Sequence, residues 1–105
     1  MEPRAVSDRR DELQIIDVRE DKEWAAGRIA AAVHIPTDDI PARLEQIDRD
    51  RTVVTVCRSG RRSGQAAEYL TQVGYRAVNL DGGLQSWADE GLPVTTPAGN
   101  PGRVA

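Results

Sequence analysis

The chain lacks phenylalanine, and its 105 residues include only two tryptophans and two tyrosines. Aliphatic side chains and alanine must therefore fill the hydrophobic core. A chain of 105 residues has the usual size of one domain, so we expect one domain and one modest core. Hydrophobic residues make up 39% of the chain, which is more than a disordered protein contains.

Cysteine and histidine are as scarce, with Cys57 and His34 as the single residue of each type. One cysteine cannot form an internal disulfide or a cysteine-based structural zinc site. With one histidine as well, a metal centre built on soft ligands is not expected. We therefore expect no cofactor or metal, and a reducing, cytoplasmic compartment.

Long apolar runs are also missing. The first ten residues contain no apolar signal region, and no stretch approaches the ~18 consecutive apolar residues of a transmembrane helix. The net charge of −3 argues against a general nucleic-acid binder. We therefore expect neither a membrane nor a nucleic acid as partner. Nearly all the basic residues are arginine, whose planar guanidinium suits oxyanions, so arginine clusters are of interest.

Short apolar runs alternate with segments of helical periodicity. Strands are predicted at 15–18, 31–35, 52–56 and 77–80, and helices at 21–26, 39–47, 61–73 and 84–88. This alternation predicts an α/β fold with a parallel sheet and helices on both faces. Residues 95–105 are rich in proline and glycine, which predicts a flexible C-terminal tail after a domain at 1–94.

The turn after the strand at 52–56 is the candidate site, because ligands of open parallel sheets bind beyond the carboxyl ends of the strands. Its residues are Cys57, Arg58, Ser59, Gly60, Arg61 and Arg62. A helix N-terminus and nearby arginines both stabilise a thiolate, and a small, flexible loop can turn its amides inward around an anion. The alternatives are a small buried cysteine that ends a strand and a solvated helix start, but cations oppose a helix N-terminus unless an anion offsets them.

Several stretches in order resemble the single-domain rhodanese (thiosulfate sulfurtransferase) family. They are 16–19 (IDVR), 23–29 (EWAAGRI), 32–36 (AVHIP), 57–63 (CRSGRRS), 80–83 (LDGG) with Trp87, and 91–94 (GLPV). Each stretch alone is a weak signal, but their order and spacing together are specific. The resemblance covers residues 13–95, which is most of the chain.

The resemblance implies a rhodanese-like α/β fold with a four- to five-stranded parallel sheet. It implies that Cys57 carries a sulfane sulfur as a persulfide, cradled by the backbone amides of residues 58–62. The side chains of Arg58, Arg61 and Arg62 would meet an anionic sulfur donor. The acceptor would be cyanide, a thiol or a partner protein. Asp17 and Arg19 match a structural pair beside the site.

Two departures from the family pattern concern architecture. Arg28 stands where the family usually has histidine, and only about a dozen residues precede Leu13, so the first edge strand is expected to be short or missing.

His34 could in principle serve a Cys–His hydrolase as base, but nothing in its spacing brings it to Cys57. A structural role is the preferred interpretation. Trp24 and Trp87 are expected in the core.

Two alternatives to an enzyme of sulfur transfer stay open. One is a sulfur-relay or regulatory module of the same fold that docks a partner protein. The other is a phosphatase or arsenate reductase, because a related loop serves those activities. Loop length separates them: cysteine phosphatases place five residues between cysteine and arginine, whereas four lie between Cys57 and Arg62.

Overall fold

A computed structural model describes residues 1–105. The helices are α1 (Pro3–Asp8), α2 (Asp21–Ala26), α3 (Arg61–Gln72) and α4 (Gly83–Asp89), and the strands are β1 (Gln14–Asp17), β2 (Val33–His34), β3 (Val53–Val56) and β4 (Ala77–Asn79). Two 3₁₀ segments, Thr37–Asp39 and Pro41–Gln46, lie between β2 and β3. None of the helices combines the length and the apolar character that a membrane crossing requires.

The four strands form one parallel sheet in the order β2-β1-β3-β4, as the alternating pattern predicted. The strand β3 is central, pairing with β1 from Gln14 opposite Val53 to Asp17 opposite Val56. Its carboxyl end is therefore flanked by the ends of both neighbours. The short N-terminal segment forms the helix α1, and no first edge strand precedes β1.

Side chains alternate between the two faces of the sheet, so each face has its own core. One core contains Ile16, Val18, Ile35, Ile40, Ile47, Val53, Cys57, Ala66, Leu70 and Tyr75. The other contains Val6, Leu13, Ile15, Ile29, Val54, Val56, Leu80, Leu84 and Trp87. The first core takes in α3 and the second takes in α1 and α4, so helices cover both faces. Trp87 is in the core as expected.

The segment 39–47 was predicted as an amphipathic helix but forms 3₁₀ turns. Pro41 has no N–H to donate, and Arg43 leaves helical geometry at φ −121°. The hydrogen bonds that remain span three residues, as from Ile47 N–H to Leu44 O at 3.0 Å. The apolar face is nevertheless used, because Ile40 and Ile47 are both buried.

The C-terminal segment folds back against α2 instead of extending away from the domain. The N–H of Gly102 donates to Val94 O at 2.7 Å, and that of Arg103 donates to Ala26 O at 3.0 Å. Gly27 permits this approach, since a Cβ there would collide with the carbonyl oxygen of Arg103. Proline and glycine content did not indicate these contacts, whereas the flexibility of residues 95–105 stays a prediction.

Candidate active site

Cys57 directly follows the central strand, and its residue surface is 1% exposed. Its backbone is tied to the next βα connection, because its carbonyl accepts a hydrogen bond from Leu84 N–H at 2.8 Å. The carbonyl of Arg58 accepts one from Gln85 N–H at 3.0 Å. The start of α4 thus holds the loop against the end of β3, and the sulfur has a fixed position.

The loop curls around the sulfur because Gly60 adopts a left-handed conformation at φ 103°, which glycine reaches without strain. This turn brings the N–H of Gly60 within 3.1 Å of Cys57 Sγ, to which it donates. The next residue, Arg61, begins α3. The backbone therefore presents donors to the sulfur at the end of a helix where unpaired N–H groups point outward.

The environment of the sulfur favours the thiolate. Burial raises the pKa of the Cys57 thiol, but hydrogen bonds from the hydroxyl and the N–H of Ser63 act against it. The N–H groups of Gly60 and Ser59 lower the pKa further, so that it lies below its usual value. The direction is the one that the sequence predicted. Of the two predicted causes, the backbone N–H groups at the start of the helix contribute, together with the Ser63 hydroxyl, whereas the arginine side chains are not among the causes.

The three loop arginines are not gathered on the sulfur. Arg62 forms a bidentate ion pair with Glu23, with distances of 2.7 and 3.0 Å, and this contact lowers the pKa of Glu23 to about 2. Arg58 and Arg61 are exposed. Of the three charges, that of Arg62 is thus already balanced by a carboxylate, which leaves Arg58 and Arg61 free to meet an anionic ligand.

A hollow of about 450 Å³ lies beside the loop. Its walls are Glu20, Lys22, Glu23, Arg58, Arg62, Arg103 and Ala105. Four cationic and two anionic side chains thus meet here, on a protein whose formal net charge is −3. Arg103 arrives from the C-terminal segment, so the folding-back of that segment supplies one of the four cationic side chains.

Asp17 and Arg19 form the structural pair that the resemblance implied. Both residues are 0% exposed, and Arg19 donates to both carboxylate oxygens of Asp17 at distances of 2.8 to 3.1 Å. Arg19 also donates to the carbonyl of Gly27 at 2.7 Å. The pair therefore links the end of β1 to the residue that closes α2.

His34 takes no part in the surroundings of Cys57, in line with its preferred interpretation. Its Nε2 lies 2.7 Å from the carbonyl of Arg19, and its ring stacks on Trp24 at 4.8 Å between centroids. The guanidinium of Arg28 lies over Trp24 at 4.1 Å from the ring centroid. The expectation that Trp24 belongs to the core was wrong. The side chain is half-buried, and its ring contacts His34 and Arg28 instead of the buried aliphatic residues.

Sequence reasoning missed two polar residues near the sulfur, Ser63 in contact with it and Asn79 in contact with Ser63. The hydroxyl of Ser63 lies 3.2 Å from Cys57 Sγ and 2.5 Å from Asn79 Oδ1. Asn79 ends β4, which neighbours β3, and its amide nitrogen donates to Gly60 O at 2.8 Å. The available signal was topological, since polar residues at adjacent parallel strand ends converge on one edge. No group of three or more His, Cys, Asp or Glu side chains is placed to hold a metal ion.

Comparison with known proteins agrees with this geometry. The family model described as the rhodanese-like domain matches residues 2–90. The Bacillus subtilis (strain 168) protein YtwF, provisionally named a sulfurtransferase, is 47% identical over 79% of this chain and 81% of its own. A protein named sulfurtransferase from Allochromatium vinosum is 46% identical over 85% of this chain and 84% of its own.

Among solved structures, a rhodanese-related protein from Thermoplasma volcanium superposes with a TM-score of 0.86 at 33% identity, covering 90% of this chain and 95% of that one. The fold, the family model and the two sequence relatives all lead to the same assignment. The chain belongs to the rhodanese-like domain family.

Proposed function

We propose that this protein is a sulfurtransferase that moves a sulfane sulfur through a persulfide on Cys57. One observation carries the proposal: the sulfur of the single cysteine is surrounded by N–H and O–H donors that lower the pKa of its thiol and so favour the thiolate. No other nucleophile is comparably placed, and His34 offers no general base to the sulfur. A thiolate without a base suits sulfur transfer, which moves no proton from the nucleophile.

The reaction consists of two displacements. In the first, the Cys57 thiolate attacks the outer sulfur of thiosulfate or of a persulfide donor. The new S–S bond forms as the old one breaks, and sulfite or a thiolate leaves with the bonding electrons. In the second, cyanide or a thiolate attacks the outer sulfur of the Cys57 persulfide, and the electron pair of that S–S bond returns to Cys57. No cofactor is needed, because electrons and atoms balance within each step.

The loop supplies electrostatic stabilisation. The N–H groups of Ser59, Gly60 and Ser63 donate to the sulfur, on which the negative charge sits before the first displacement and after the second, and they act as the donors of an oxyanion hole do. Arg58 and Arg61 remain available to an anionic donor, because neither is engaged in an ion pair as Arg62 is. The same loop could deliver sulfur to a cysteine of a partner protein, which would make the acceptor a macromolecule.

A panel of donors and acceptors tests the proposal. Purified protein is incubated with thiosulfate or a low-molecular-weight persulfide, and intact mass is measured before and after addition of cyanide or a thiol. We expect one added sulfur atom that disappears on addition of the acceptor. A protein that gains no sulfur from any donor would contradict the proposal.

Replacing Arg58 by alanine should selectively reduce the catalytic efficiency with anionic sulfur donors. The guanidinium is exposed at the hollow, so its loss should reduce kcat/KM for thiosulfate by roughly ten-fold and leave that for an uncharged sulfane-sulfur donor little changed. Arg10→Ala, at an exposed arginine outside the hollow, is the matched control. Equal losses for charged and uncharged donors would mean that the substitution disturbs the loop rather than removing a donor contact.

Phosphatase and arsenate reductase activities are expected to stay at background. Four residues separate Cys57 from Arg62, and Ser63 occupies the position where a cysteine phosphatase requires arginine. The shorter loop suits one sulfur atom and is too tight for a tetrahedral oxyanion. Aryl-phosphate hydrolysis and arsenate reduction are measured on the same preparation as sulfur transfer. Cys57-dependent hydrolysis without sulfur transfer would reverse the assignment.

A further inference from the structure

The orientation of the Asn79 amide is determined by its neighbours. Its Nδ2 donates to the carbonyl of Gly60 at 2.8 Å, and a carbonyl can only accept. Its Oδ1 therefore faces Ser63, whose hydroxyl oxygen lies 2.5 Å away. Hydrogen-bond networks of this kind are what assign amide orientations. Asn79 thus presents a hydrogen-bond acceptor to Ser63.

The Ser63 hydroxyl has two acceptors within reach but only one proton. Cys57 Sγ lies 3.2 Å from the hydroxyl oxygen, and Asn79 Oδ1 lies on its other side. Ser63 is 0% exposed, so it finds its partner within the protein. Thr55 Oγ1 donates to the carbonyl of Ser63 at 2.7 Å and is thereby occupied. Donation by Ser63 to the sulfur excludes donation to the amide.

The two acceptors differ in strength according to the charge on the sulfur. A thiolate is a charged acceptor and attracts the hydroxyl proton more strongly than an amide oxygen does. Once Sγ carries a second sulfur, the negative charge moves to the outer atom and Sγ becomes a weak, neutral acceptor. A buried hydroxyl without an acceptor is unfavourable, so the amide oxygen is needed in the loaded state.

We propose that Asn79 is a positioning residue for sulfur transfer: its Oδ1 competes with Cys57 Sγ for the hydrogen bond of the Ser63 hydroxyl when the sulfur is unloaded, and it accepts that hydrogen bond when the sulfur is loaded. The proposal rests on the function proposed above. It assigns Asn79, a residue that does not contact Cys57, a role in both displacements. The amide competes with the thiolate for one proton and so moderates the stabilisation of the thiolate.

Other charged groups lie on the elements around Cys57 and can influence its ionisation. They are Arg58 of the loop, Arg61 and Arg62 of α3, Glu23 of α2, the Asp17–Arg19 pair at the end of β1, and Asp81 before α4 with the amino group of Met1. The substitutions below leave all of them in place, so differences between variants report the Ser63–Asn79 pair.

A double-mutant cycle tests the proposal. Because the chain has one cysteine, the ultraviolet absorbance of its thiolate can be followed against pH, with Cys57→Ser as the blank. Ser63→Ala should move the midpoint up by about one pH unit, a roughly ten-fold loss of thiolate below the midpoint. Asn79→Ala should move it down by about half a unit, because Ser63 then donates to the sulfur alone.

The decisive comparison is the effect of Asn79→Ala in the Ser63→Ala background. We expect no shift there, since the hydroxyl through which Asn79 acts is absent. A shift of the same size in both backgrounds, or an upward shift in the chain that keeps Ser63, would show that Asn79 only anchors Gly60 and would overturn the proposal.

A measurement on the native protein covers the case in which a variant fails to fold. The side-chain amide resonances of Asn79 are followed by NMR against pH and after loading with thiosulfate. They should titrate with the thiolate midpoint and move to the low-pH position on loading. Resonances whose chemical shifts do not change with the ionisation or the loading of Cys57 would overturn the proposal. The thiolate titration needs no turnover, so it separates failure of this inference from failure of sulfur transfer itself.

Discussion

Replacement of Cys57 by serine is expected to abolish sulfur transfer and leave the fold intact. A serine hydroxyl is not ionised at neutral pH and cannot hold a sulfane sulfur, so the first displacement loses its nucleophile and the second loses its persulfide substrate. The oxygen is smaller than the sulfur but occupies the same buried position, so the thermal midpoint should change by only a few degrees. Turnover and intact mass after donor treatment are the measurements, and a serine variant that still gains one sulfur atom would refute the role of Cys57.

Replacement of Arg19 by methionine should be the most destabilising single change outside the hydrophobic core. The carboxylate of Asp17, fully buried beside it, would lose its bidentate partner. Breaking a buried pair from one side costs about 3–5 kcal/mol, a large part of the stability of a small domain. Urea unfolding measures the loss.

Two further variants make this result specific. The double variant Asp17→Asn with Arg19→Met should recover most of the lost stability, because no buried charge remains unpaired. Arg9→Met removes an exposed arginine that pairs with Glu12 at 3.1 Å, and should change the free energy of unfolding little. If Arg19→Met costs no more than Arg9→Met, the buried pair contributes no net stability.

Local chemistry made the sheet and the long helix predictable. The β-branched run that became β3 disfavours helix, and the spacing of Ala66 and Leu70 on α3 follows helical periodicity toward one core. Glycine and proline residues indicated where the helices and strands end, as Gly27 does for α2. The turn of Cys57 was identifiable because a cysteine, a glycine and arginines share one short segment after a buried strand.

Contacts between distant segments could not be derived in the same way. Glu23 of α2 pairs with Arg62 of α3, and Asn79 of β4 meets Ser63 of α3, only because the fold brings these separate elements together beside the loop after β3. Periodicity indicates which face a residue occupies but not which partner it meets. The 3₁₀ turns after β2 were also missed. The apolar residues there have helical spacing, but the disruption of helical hydrogen bonding by Pro41 extends beyond the first turn.

The backbone contact at Gly27 has a consequence for the charged hollow beside the Cys57 loop. Gly102 packs against Gly27 so closely that a Cβ on Gly102 would lie 2.8 Å from the Cα of Gly27. A methyl group at position 27 would force the two backbones apart and carry Arg103 away from the hollow it lines. The electrostatic attraction that an arriving anion experiences is thus governed in part by a residue without a side chain. A substitution of Gly27 by an uncharged residue is therefore expected to alter the affinity of the protein for charged molecules.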